Sequence, residues 1–126
     1  MITVLQHTRK SDILFHSNGV IYLKSRLSKL LSLQEGDIIG LLYNDADRTY
    51  YVYRKYKGQD VCGNHEGQCR LIRKGKRVSH YFRLNSVYLC KFILTNLNTD
   101  VASLPVGDPV MIEPYGMCVP IITKLT

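Results

Sequence analysis

Short apolar runs rich in β-branched and aromatic residues recur along this chain, broken by glycine, asparagine and aspartate. Ile2-Thr3-Val4-Leu5 is the first strand candidate. Ile13-Leu14-Phe15-His16 and Val20-Ile21-Tyr22-Leu23 are two more, separated by Ser17-Asn18-Gly19. Asn-Gly between such runs predicts a hairpin, because both residues tolerate positive φ. Ser25 then fits an N-cap, and the period changes. Across residues 26–33, Leu27, Leu30 and Leu31 fall on one helical face, which leaves Arg26 and Lys29 exposed on another. Glu35-Gly36-Asp37 predicts a turn, residues 38–43 a strand, and Asn44-Asp45-Ala46-Asp47 another turn. Residues 49–56 return as a strand rich in tyrosine. Tyr51, Tyr53 and Lys55 share one face of it, and Tyr50, Val52, Arg54 and Tyr56 the other. Both faces mix rings with a basic residue, so the pattern does not say which is buried.

Residues 57–68 are polar, bear glycine and lack a period, which reads as a loop. A strand at 69–73, a turn at Lys74-Gly75-Lys76 and a return at 78–84 follow. Asn85 or Ser86 caps a segment with Leu89, Phe92 and Ile93 on one helical face, with a strand as the alternative. Residues 101–104 lead to Val106-Gly107-Asp108, and a last hairpin turns around Pro114-Tyr115-Gly116. Pro120 suits an edge or a bulge better than an inner strand. The order is hairpin, helix, Gly-Asp turn, hairpin, and then the same again. Leu84 follows Leu23 by 61 residues and Gly107 follows Gly36 by 71, so the second copy carries an insertion. The expectation is one domain over 1–126, mainly β with short helices: copy one at about 12–56, a loop at 57–68 and copy two at about 69–125.

A chain of 126 residues can bury a real core without staples. No apolar run approaches the roughly 18 to 20 residues of a membrane span. The first residues lack the charge and apolar length of a signal peptide, so no membrane and a cytoplasmic location are expected. Charge sharpens the picture. The net charge is +7, and from Arg48 to Lys91 there are 11 basic and 2 acidic residues, a balance of +9. That concentration suits a polyanion, because a basic patch attracts phosphate and releases counterions. The alternative is a solvated face. Arg70-Leu71-Ile72-Arg73-Lys74-Gly75-Lys76-Arg77 is the densest basic stretch. A β-ribbon there can enter a groove, where Arg reads guanine and Lys holds phosphate. Tyr81 and Phe82 are candidates to stack on unpaired bases. The alternative is an exposed hairpin whose lysines prevent edge pairing.

Chemistry beyond binding is thinly signalled. Cys62, His65 and Cys69 have partial zinc spacing, with His80 as a fourth ligand only if the fold brings it near. The simpler expectation is a loop with no metal and no cofactor. Cys90 and Cys118 read as small buried hydrophobes. The chain has no nucleophile elbow, Walker loop, His-Glu-x-x-His or carboxylate pair, so no enzyme is expected.

Gly19-Val20-Ile21-Tyr22-Leu23, followed by Leu30-Leu31-Ser32-Leu33-Gln34-Glu35-Gly36-Asp37-Ile38-Ile39, resembles the AbrB/SpoVT-type swapped-hairpin family. The second copy keeps Val106-Gly107-Asp108 and its hairpin, and Lys24-Ser25 stands where the family usually has proline near the helix start. The resemblance implies a small barrel of interleaved hairpins, here pseudo-duplicated: a monomer with an internal pseudo-dimer, or a homodimer. It also implies a DNA-binding regulator that contacts phosphate and groove, with duplex DNA as partner. The matching basic positions are Arg9, Lys10, Lys24, Arg26 and Lys29 in copy one, and Arg70, Arg73, Lys74, Lys76, Arg77 and Arg83 in copy two. A protein-interaction module on the same barrel, or a small metal-binding domain, is the alternative.

Overall fold

Two five-stranded antiparallel sheets and two helices make up the described part of the chain. The computed structural model describes residues 11–55, 66–71 and 81–123. The elements are β1 (Ile13–His16), β2 (Val20–Leu23), α1 (Ser25–Leu30), β3 (Ile38–Asn44), β4 (Thr49–Lys55) and β5 (Glu66–Gln68). They continue with β6 (Arg70–Leu71), β7 (Phe82–Asn85), α2 (Val87–Leu97), β8 (Val101–Leu104), β9 (Val110–Ile112) and β10 (Gly116–Ile121). The first sheet runs β6-β7-β2-β1-β8 and the second β5-β3-β4-β10-β9. No helix among the described residues is long and apolar enough to cross a membrane.

The β1–β2 hairpin forms where Asn18-Gly19 predicts it. Gly19 has φ 99°, and the Asn18 side chain accepts from the Val20 amide at 3.1 Å. Glycine is needed there twice over. A Cβ would also stand 2.9 Å from Val87 Cγ2, because the turn packs on the start of α2. Ser86 caps that helix by accepting from the Leu89 amide, and the helix ends at Asn98 in the left-handed region. The strand alternative for residues 86–90 does not form.

Helix α1 begins one residue earlier than the sequence suggests. Its N-cap is Lys24, not Ser25, and no side chain caps it. The Lys24 amide donates to the Asp12 carbonyl at 2.9 Å, which holds Lys24 extended as a continuation of β2. The helix stops at Leu30, and Ser32 takes φ 51°. Two more expectations are corrected. Residues 57–68 read as a loop, yet Glu66–Gln68 is a strand paired with β3. Its polarity disguised it: Glu66 is buried and takes bonds from Tyr53 and Lys55 across the sheet. Pro120 lies in β10, between β4 and β9 in strand order. The β9 ladder ends at Val110 opposite Cys118, so the missing Pro120 N–H breaks no ladder bond. Its carbonyl accepts from the Gly107 amide at 2.9 Å.

One core draws on both sheets and both helices, with Phe15, Leu23, Leu27, Val52, Ile93 and Val119 fully enclosed. Tyr50 and Val52 point into it. Tyr51 and Tyr53 point the other way, into a smaller cluster with Cys118. Both faces of β4 are therefore buried, which explains why its sequence showed no polar side. The sheets join at Cys69, between β5 and β6. Its amide donates to the Asp37 carbonyl at 2.8 Å, and its carbonyl accepts from the Gly36 amide at 3.0 Å.

Candidate nucleic-acid interface

Strand alternation gives the first sheet a buried face and an open one. In β7, Phe82 and Leu84 are buried while Arg83 and Asn85 are exposed. In β2, Ile21 and Leu23 are buried while Val20 and Tyr22 are half-buried, and β1 alternates likewise with Leu14 and His16 outward. In β8, Ala102 is buried while Val101 and Ser103 are exposed. Strand register then sets these outward side chains in rows. Arg70 lies opposite Arg83, Arg83 opposite Tyr22, Tyr22 opposite Leu14, and Leu14 opposite Ser103. Asn85 lies opposite Val20, and His16 opposite Val101. The His16 and Tyr22 rings meet edge to face, 6.2 Å apart.

The Arg70–Arg83 pair is the informative contact. Like charges directly opposite on a sheet destabilise it. Neither arginine makes an ion pair or a side-chain hydrogen bond with a described residue, and the outward positions of this sheet include no carboxylate. Two exposed arginines therefore occupy paired positions on the open face, and Arg83 is the register partner of Tyr22.

Other predicted positions are placed differently. Arg26 is engaged: it pairs with Asp12 Oδ2 at 3.1 Å and donates to the Val106 carbonyl at 2.8 Å. The same Asp12 oxygen accepts from the Val106 amide at 3.0 Å, so Arg26 ties the start of β1, helix α1 and the corner after β8 together. Lys24 is half-buried at the N-cap, and Lys29 is exposed on α1. Arg9 and Lys10 lie outside the described residues. So do Arg73, Lys74, Lys76 and Arg77, in the stretch of sequence joining β6 to β7. Phe82 corrects an expectation: it is 4% exposed in the core and is not a base-stacking residue. Tyr81, one position earlier, is exposed. Sequence reasoning did not single out Tyr22 and His16, which the strands set on the open face. Their signal was the apolar alternation of β1 and β2, which puts them opposite the buried Ile21 and Phe15.

Cys62, His65 and His80 lie outside the described residues. Cys69 is fully buried, and burial, followed by the Asp37 charge, pushes its thiol up to about 12. That environment opposes the thiolate a metal would need. Among the described residues, no three His, Cys, Asp or Glu side chains stand together. A shallow depression of about 510 Å³ at the end of α2 is lined by residues including Lys91, Thr95 and Asp100. Its lining includes no histidine or cysteine.

Comparison of the chain with protein-family models, with curated proteins and with solved structures gave no match.

Proposed function

We propose that the chain belongs to the class of non-enzymatic nucleic-acid-binding proteins, and that its binding surface is the outer face of the first sheet. Within that class it is a DNA-binding regulator made of two unequal copies of one unit, a reading favoured by the resemblance to the AbrB/SpoVT-type family. The observation that carries the function is the Arg70–Arg83 pair, which has no acidic partner among the described residues, at the two ends of the basic stretch from 70 to 83. A phosphate between the two arginines removes the repulsion that no described residue answers. The duplication has independent support. Tyr22 and Arg83 are 61 residues apart, the same offset as Leu23 and Leu84, and they face each other across the β2–β7 pair. Equivalent positions meet in this way at a local two-fold axis.

Fluorescence anisotropy with labelled oligonucleotides tests the function. Binding weakens steeply as salt rises, because each neutralised phosphate contributes a slope of about −0.9 on duplex DNA or about −0.7 on single strands. Reversing both charges, Arg70→Glu with Arg83→Glu, weakens binding at least about tenfold at low salt. Undetectable binding to single-stranded and duplex oligonucleotides alike at low salt contradicts the proposal.

A second reading, a protein-interaction module, has its own observation. Val110, Met111, Tyr115 and Met117 are exposed on the β9–β10 ribbon, and β9 is a sheet edge among the described residues. Co-purification of a defined partner, together with no response to nucleic acid, favours that reading over the first.

A further inference from the structure

The open face of the first sheet has a shape as well as a charge, and the shape selects among nucleic acids. Five strands at about 4.8 Å spacing span roughly 19 Å. The major groove of duplex DNA is about 12 Å wide and admits a helix or a two-stranded ribbon. A five-stranded face does not fit inside it. The face is also not surfaced as a solvated sheet would be. Tyr22 and His16 sit at its middle, with the apolar Leu14 and Val20 beside them, and Arg70 and Arg83 lie on one flank. Rings on an open sheet beside a basic edge suit a strand whose bases are splayed and stacked while its phosphates follow the cations.

Resting on the nucleic-acid reading above, we infer that the ligand of this face is single-stranded nucleic acid, with a base stacked at Tyr22 and His16 and the adjacent phosphates held by Arg83 and Arg70. The strand register carries the geometry. Arg83 is the direct neighbour of Tyr22, and Arg70 is the next neighbour beyond it. The Arg83 position therefore lies one strand spacing, roughly 5 Å, from the Tyr22 position, and the Arg70 position about twice that, with both side chains on the face that carries the ring. The order base, phosphate, phosphate runs along the row. Stacking tolerates any base, so the site selects strandedness ahead of sequence.

Anisotropy with labelled oligonucleotides of about 12 nucleotides tests this in three arms: single-stranded DNA, single-stranded RNA of the same sequence, and the DNA duplex. The wild-type protein is expected to bind a single strand at least about tenfold more tightly than the duplex, and the two sugars separate RNA from DNA as the preferred source. Tyr22→Ala weakens single-strand binding about 5- to 150-fold with the salt slope unchanged, as loss of one stacked base requires. Tyr22→Phe keeps the ring and restores binding. Arg83→Glu weakens binding and flattens the slope. Thermal melts of the variants exclude loss of fold. Duplex binding at least as tight as single-strand binding, with Tyr22→Ala silent, overturns the inference and leaves the nucleic-acid reading standing, with the β6–β7 ribbon as the contact. Binding to none of the three overturns both.

Discussion

On the outer face of the second sheet, charge and hydroxyl groups answer one another within the protein. Lys55 Nζ pairs with Glu66 Oε1 at 3.0 Å, and the Tyr53 hydroxyl donates to Glu66 Oε2 at 2.5 Å. The Tyr51 hydroxyl donates to Asp47 at 2.7 Å, which with burial raises its pKa above the usual 10. To reach Glu66, the Tyr53 ring lies across Gly40, where a Cβ would stand 2.2 Å from the ring. On the outer face of the first sheet, Arg70 and Arg83 face each other with no acidic partner among the described residues. Among the described residues, Arg54, Lys55 and Arg26 have acidic partners, while these two are exposed without one. Basic residues are thus of two kinds here, those that hold the fold and those available to a ligand. Position in the sequence does not separate them.

The largest test of this contrast compares two arginines of adjacent type and opposite surroundings. Arg54 pairs with the buried Asp37 at 2.8 Å and donates to the Leu31 carbonyl at 3.1 Å. Arg54→Leu is expected to cost about 3–5 kcal/mol in urea unfolding, because it strands a buried carboxylate. Arg83→Leu is expected to change stability by no more than about 0.5 kcal/mol. Equal costs would break the contrast. Next, Gly40→Ala drives the Tyr53 ring off its seat and away from Glu66, at about 1–3 kcal/mol in the same experiment, with no effect on oligonucleotide affinity.

The junction between the sheets gives a pH signature. Cys69 titrates near 9.0 when unfolded and is pushed up to about 12 in the fold. The unfolded state therefore releases its proton first as pH rises. Stability contributed by the neutral thiol is intact below 9.0 and declines above it until about pH 12, by about 1.4 kcal/mol per pH unit at most. Chemical unfolding at pH 8 and at about pH 10 reads this, and Cys69→Ala makes the decline shallower, leaving the part that the raised Cys90, Cys118 and Tyr51 contribute. The smallest effect sharpens the contrast most. Arg70→Glu replaces a like-charge pair by an opposite one and raises stability by about 0.2–1 kcal/mol, while it weakens oligonucleotide binding. A variant that stabilises the protein and impairs binding marks a residue kept for its ligand.

Local signals in the sequence were enough for much of the scaffold. Asn18-Gly19 foretold the first hairpin, and Asn85 or Ser86 a cap for α2, which Ser86 supplies; of the expected face of Leu89, Phe92 and Ile93, Phe92 is only half-buried. Each depends on residues within a turn or two of each other. Glu66–Gln68 was hidden because its polarity is answered by Tyr53 and Lys55, 13 and 11 residues away in sequence. Arg26 looked like a surface cation because its partners, Asp12 and the Val106 carbonyl, come from distant parts of the chain. The candidate site shows the same limit. Arg70 and Arg83 were each visible as basic residues, but their placement beside Tyr22 follows from long-range register. Phe82 was misplaced as a stacking ring because alternation gives two faces and leaves open which one the core takes.

The central claim is that a ligand meets the first sheet and not the second. It is tested most directly by following backbone amide NMR shifts of the protein during titration with a single-stranded oligonucleotide. The account predicts that the largest shifts fall at Arg83, Tyr22, Arg70 and His16, while Tyr51, Tyr53 and Cys118 stay still. Shifts centred on Tyr51, Tyr53 and Cys118, or none anywhere at saturating oligonucleotide, would contradict it.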